Sequence, residues 1–166
     1  MRMIGVLFIV LSAGSVGFRI AGSLSYKCKQ ARQLLNLLQI LKNEISLCST
    51  PLPQAFALLS VAAEGELKTI FSEVARAMDK QRWLKPETAM QTALEKTPLE
   101  PFGSVLMELC AKLGKYDTEA QEQGIGAASM QTQALLQTLE REKSLKSKTY
   151  ETLGICAGLA LAILLI

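Results

Sequence analysis

Two long stretches without a charge, one at each end, constrain this chain more than any other feature of its sequence. From Met3 to Phe18 no residue is charged, and beyond Arg19 the apolar character continues through Ile20, Ala21 and Leu24. A helix over Met3 to Leu24 would rise about 33 Å, enough for a hydrocarbon core of roughly 30 Å. Arg19 would then fall near the inner end, where a guanidinium can reach the headgroups. The second stretch, Thr152 to Ile166, gives only about 23 Å of helix, with Tyr150 at the near interface. A buried core helix is the competing reading of this tail. Its all-round apolarity, from Leu159 through Ile166, argues for lipid instead.

The N-terminal stretch also has a second reading, a cleaved signal peptide. Arg2 would be its basic region, Ile4 to Leu11 its apolar region and Ser12 to Ser15 its cleavage zone. Against this, the apolar run continues past the cleavage zone and basic residues follow it. Arg19, Lys27, Lys29 and Arg32 flank the first stretch on its inner side, and Arg141, Lys143, Lys146 and Lys148 precede the second. The excess of cations on these flanks orients the middle of the chain toward the cytoplasm. The expected organisation is an N-terminal transmembrane helix over residues 1–25, a cytoplasmic helical bundle over 26–149, and a transmembrane or membrane-inserted helix over 150–166.

Between the ends the sequence reads as six helices. Leu34, Leu38, Leu41, Ile45 and Cys48 recur at spacings of three and four over Tyr26 to Cys48, with Leu35, Leu37 and Ile40 widening the stripe. Thr50, Pro51 and Pro53 stop that helix and start the next, which Gly65 would end. A third helix, Glu66 to about Gln81, carries Leu67, Ile70, Phe71, Val74 and Met78 on one face. Trp83 and Leu84 lead to Pro86, the first residue of a fourth that ends near Lys96. Thr97, Pro98 and Pro101 form the next break, and a fifth helix from Phe102 ends at Gly114, a residue suited to a left-handed C-cap. Thr118 with Gln121 has the spacing of a capping box. No proline follows, so one helix is expected to run from there into the tail. Alternating strand patterns are absent. The fold class is therefore all-α, a six-helix bundle flanked by N- and C-terminal transmembrane helices.

The same residues exclude most chemistry. The chain has no histidine, the usual general base near neutral pH and the commonest metal ligand. Its four cysteines, Cys28, Cys48, Cys110 and Cys156, form no CxxC pair and read as reduced thiols. No phosphate-binding glycine loop occurs, and a net charge of +3 is too small to point to nucleic acid. Asp117, Glu119 and Glu122 could form a carboxylate site, but caps and surface charge explain them more simply. The reading is a non-enzyme without cofactor, metal, nucleic-acid partner or small-molecule substrate. In the apolar ends, Gly154 and Gly158 form a GxxxG step, and Ala13, Gly17 and Ala21 repeat the small-residue spacing. Both suit close helix packing in a bilayer.

Three segments together resemble the stage III sporulation protein AB family of endospore-forming bacteria. They are Arg32-Gln33-Leu34 leading to Glu44-Ile45 and Thr50-Pro51-Leu52-Pro53; Leu113-Gly114-Lys115-Tyr116-Asp117 with Glu119 and Gln121; and Tyr150-Glu151-Thr152-Leu153-Gly154 running into the tail. The resemblance implies a subunit of the channel-like apparatus between mother cell and forespore. It implies a location in the mother-cell membrane around the forespore, with the soluble domain facing the cytoplasm. It also implies likeness to the cytoplasmic domain of the type II secretion platform protein F. By that analogy the partners are a stage III sporulation protein AA-like ATPase and other membrane proteins of the apparatus. Arg32, Glu44, Thr50, Asp117, Glu119 and Gln121 are the expected partner contacts, with turn geometry and helix capping as their competing explanation. The alternative function is an exported, membrane-anchored helical binding module.

Overall fold

In the computed structural model the chain forms six helices, and no strand occurs among the described residues. Residues 22–81, 83–113 and 119–145 are described with their side chains, and the backbone of the two outer helices is described as far as Arg2 and Leu165. In chain order the helices are α1 (Arg2–Ser46), α2 (Leu52–Ala62), α3 (Gly65–Lys80), α4 (Pro86–Lys96), α5 (Gly103–Leu113) and α6 (Thr118–Leu165). The chain divides into two compact units. One gathers Met1–Lys29 with Gln137–Ile166, and the other is Gln30–Leu136.

The first unit contains the two apolar ends. Its described residues include buried Leu24, Cys28 and Leu139. Among the described residues no helix is long and apolar enough to cross a membrane. The expected spans themselves, and with them Arg19, Tyr150, Cys156 and the small residues Ala13, Gly17, Ala21, Gly154 and Gly158, lie outside the residues described with side chains.

The second unit is the bundle. In α3 the expected apolar face is buried in full: Leu67, Ile70, Phe71, Val74 and Met78, joined by Ala75. In α1, Leu34, Leu37, Leu38, Leu41 and Ile45 are buried, while Leu35 and Ile40 are half-buried at the edges of the stripe. Cys48 was expected on that stripe and is exposed instead. The helix ends at Ser46, so the helical period no longer governs where residue 48 faces. Gly65 also differs from expectation, because α2 stops at Ala62 and Gly65 opens α3 rather than closing α2. Its φ of 59° lies in the left-handed region that glycine adopts without steric cost, which allows the two-residue link between α2 and α3.

Pairs of residues fix the helix directions. Phe56 and Phe71 stack with ring centroids 6.1 Å apart and lie at mirrored distances from the Ala63–Glu64 link, so α2 and α3 form an antiparallel hairpin. Lys96 Nζ reaches Glu73 Oε2 at 2.7 Å, which pairs α4 with α3 in the opposite sense. Gly103 sits against Leu94 across the next connection. Gln131 Nε2 donates to Glu108 Oε2 at 2.9 Å, and Gly124 faces Lys112, so α6 runs antiparallel to α5. Gln30 Nε2 donates to Glu66 Oε2 at 2.6 Å, placing the start of α3 level with the point where α1 enters this unit. Each short connection therefore reverses the chain. The α1–α2 and α3–α4 links and the described start of α6 gather at one end of the unit. Gln30, beside Glu66 at the start of α3, lies at the opposite end. The former is here termed the distal end; along α1 it is about 24 Å from Gln30.

The α5–α6 contact is unusually close. A Cβ added at Gly124 would sit 2.9 Å from Lys112 Cβ, below any ordinary contact. Gly124→Ala is expected to lose about 1–2 kcal/mol, because overpacking outweighs alanine's helix propensity. Ser46 shows the opposite case: its Oγ is buried with no hydrogen-bond partner. Ser46→Ala removes an unsatisfied polar group and is expected to stabilise by about 1 kcal/mol. Urea unfolding of the detergent-solubilised chain, followed by helical circular dichroism, checks both signs.

Candidate functional site at the distal end of the bundle

The distal end begins where α1 stops. Ser49 has a φ of 51°, so the chain turns through the left-handed conformation that commonly terminates helices. The turn ties itself back to the helix twice. Thr50 N donates to Glu44 O at 3.0 Å, and Thr50 Oγ1 donates to Glu44 Oε2 at 2.7 Å. A carboxylate in the last turns of a helix is disfavoured by the orphan carbonyls there, and the Thr50 hydroxyl offsets that by bonding it. Pro51 and Pro53 then begin α2, where neither lacks a needed amide hydrogen. Glu44 and Thr50, expected as contact residues, are thus brought into direct contact with each other.

The second expected cluster opens α6. Asp117, with Gly114, lies outside the described residues. Glu119 is exposed in the first turn, where an acidic side chain complements the free amides. It accepts a bond from Gln123 Nε2 at 3.5 Å. Gln121 is half-buried beside it. Behind them, Glu108 bridges the helix pair, accepting from Gln131 and, at 3.1 Å, from Lys112 Nζ. The Gln131 bond first, and then Lys112, hold its carboxyl below the usual carboxylate range. A depressed carboxylate stabilises the fold above its ordinary pKa, and the contribution is lost as pH falls through the lowered value. This clasp therefore loosens only in acid. Arg32 does not join either cluster. It is exposed on α1 two residues beyond Gln30, at the opposite end of the unit.

One distal feature enters the sequence reading only as part of a link. The α3–α4 connection carries Trp83, 98% exposed, above an open groove of about 610 Å³ lined by Asp79, Lys80, Gln81, Trp83 and Leu84. The signal was available: this tryptophan belongs to no apolar stripe and stands among Lys80, Arg82 and Lys85. Leu47, at the α1–α2 turn, is 80% exposed at the same end.

Chemistry is poorly served here. Among the described residues no group of three or more acidic or thiol side chains could hold a metal ion. Cys28, Cys48 and Cys110 are free thiols. Burial, assisted by the nearby Glu87 charge, pushes the Cys110 pKa up to about 12, so it stays protonated and a poor nucleophile. What the distal end offers is a set of polar and apolar side chains on turns held by rigid helices, the usual form of a recognition surface. For the Glu44–Thr50 pair, Thr50→Val is expected to cost about 1 kcal/mol of stability by removing the hydroxyl. Thr50→Ser should retain most of it. Thermal unfolding of the two variants beside wild type checks this.

Comparison with known proteins agrees with the architecture. Over residues 2–166 the chain matches the family described as stage III sporulation protein AB. It is 28% identical over 170 residues to stage III sporulation protein AB of Bacillus subtilis (strain 168), covering 99% of each chain. A solved structure of stage III sporulation protein AB superposes with a TM-score of 0.63 at 26% identity, covering 70% of this chain and 94% of that one. A match across essentially the whole sequence, with a shared helical fold, means that the chain belongs to the stage III sporulation protein AB family.

Proposed function

We propose that this protein is a membrane platform subunit of the mother cell–forespore channel apparatus, and that its bundle couples a cytoplasmic secretion-type ATPase to membrane components. The observation that carries this reading is the family match over residues 2–166. It is supported by the sequence of the two ends: Met3 to Leu24 and Thr152 to Ile166 serve as membrane segments, with their basic flanks on the cytoplasmic side. The GxxxG step at Gly154 and Gly158 and the Ala13–Gly17–Ala21 spacing let these segments pack closely on each other or on membrane partners.

The protein performs no reaction of its own in this role. It holds a motor near the membrane and passes on the motor's movement. Rigid antiparallel helices suit that task, because force applied at turns is carried along helix axes into the membrane segments. The motor would meet the distal end, where Glu44 and Thr50 brace one turn and Glu119 and Gln121 stand in the first turn of α6, with Asp117 just before them in the sequence. Arg32, at the opposite end of the bundle, serves instead to meet headgroups or an acidic neighbour.

The test is a pull-down of the membrane-extracted protein with the stage III sporulation protein AA-like ATPase. Wild type is expected to capture it, and Glu119→Lys and Gln121→Ala to weaken capture while retaining full helical content. Failure of wild type to capture the ATPase, in detergent and in reconstituted membranes alike, overturns the motor-coupling reading.

A further inference from the structure

We infer that the α3–α4 connection is a docking element for an acidic protein segment, with Trp83 as its anchor; this rests on the platform reading, the partner being the motor. A tryptophan that is 98% exposed contributes nothing to the core, and indole side chains carry large binding energy when a partner covers them. Its setting defines that partner. Between residues 76 and 87 the sequence holds four cations, Arg76, Lys80, Arg82 and Lys85, against two acids, Asp79 and Glu87. Arg76, Lys80 and Lys85 are exposed, as are both acids. Excess positive charge around an apolar anchor complements an acidic surface that presents an apolar cleft.

Two features favour a protein over a lipid surface. The open groove beside Trp83 mixes polar Asp79, Lys80 and Gln81 with Leu84, a lining that suits the alternating polar and apolar groups of a peptide segment. Asp79 lines it and would repel anionic headgroups. Leu47, on the α1–α2 turn at the same end of the unit, is a second exposed apolar side chain.

Trp83 is the sole tryptophan, so the full chain labelled with fluorotryptophan gives a single fluorine resonance from this loop. Titration with unlabelled ATPase of the sporulation AA type is expected to shift or broaden that line, and high salt to reverse the change. Trp83→Ala should weaken capture of the ATPase by about tenfold or more. The pair Lys80→Glu with Lys85→Glu should weaken it and remove its salt dependence, with circular dichroism unchanged in both variants. Binding that leaves the resonance in place and is indifferent to these substitutions overturns the docking element while the platform reading stands. No binding by wild type removes both. A line moved by phosphatidylglycerol vesicles and not by the ATPase assigns the loop to lipid and overturns the protein partner.

Discussion

The bundle depends on the apolar face of α3. Six of its sixteen residues, Leu67, Ile70, Phe71, Val74, Ala75 and Met78, are buried, and the helix packs against both α2 and α4. Phe71 is the centre of that face, stacked on Phe56 of α2. Removing a buried phenylalanine typically costs about 3–5 kcal/mol, a large part of what a domain of this size has to spare. The polar bonds are arranged around this core and not within it. Gln30–Glu66 ties α3 to α1 at one end, and Lys96–Glu73 ties it to α4 along its exposed side. With α3 fixed, the connections before and after it have little choice of position, and the distal end is assembled as a consequence.

That dependence explains what the sequence made legible. Helical period is strongest where one face is wholly buried, so the stripe of α3 could be read residue by residue. The prolines at 51, 53, 86, 98 and 101 marked three of the four breaks between α1 and α5, all but α2–α3, because a missing amide hydrogen is tolerated only at a helix start or outside one. Helix ends were less legible. Cys48 kept the spacing of the α1 stripe, yet it lies past a turn whose geometry is set by Ser49, a residue with no obvious signal for the left-handed conformation. Gly65 was read as a stop because glycine commonly follows a helix. Here the same backbone freedom begins the next helix.

The candidate site was legible only in part, for a different reason. Glu44, Thr50 and Glu119 were identifiable as polar residues at turns, but sequence alone does not separate a side chain that shapes a turn from one that waits for a partner. In the folded chain Thr50 is engaged with Glu44, and Glu119 stands where α6 needs a negative charge. These residues hold the turns in place, whatever else they contact. Trp83 is the converse. Among the described residues none bonds to it or stacks on it, and its lack of period made it easy to pass over as part of a linker.

The division between these two kinds of residue gives the distal end its character. On the platform reading proposed above, transmitting movement would require turns that do not yield under load, and the Thr50–Glu44 bonds and the Lys112–Glu108–Gln131 clasp provide stiffness close to the surface. It would also require a contact that can be made and released through a motor's cycle. An exposed indole among lysines suits that second requirement, since its apolar contact sets how long the partner stays and its charge sets how fast the partner arrives. Both properties sit on connections at the same end of the bundle because α3 and its antiparallel neighbours bring 47–51 and 81–85 there together. The opposite end of this unit is closed by the Gln30–Glu66 bond, so the turns that would meet a partner and the bond that ties α1 to α3 lie at opposite ends of the same helices.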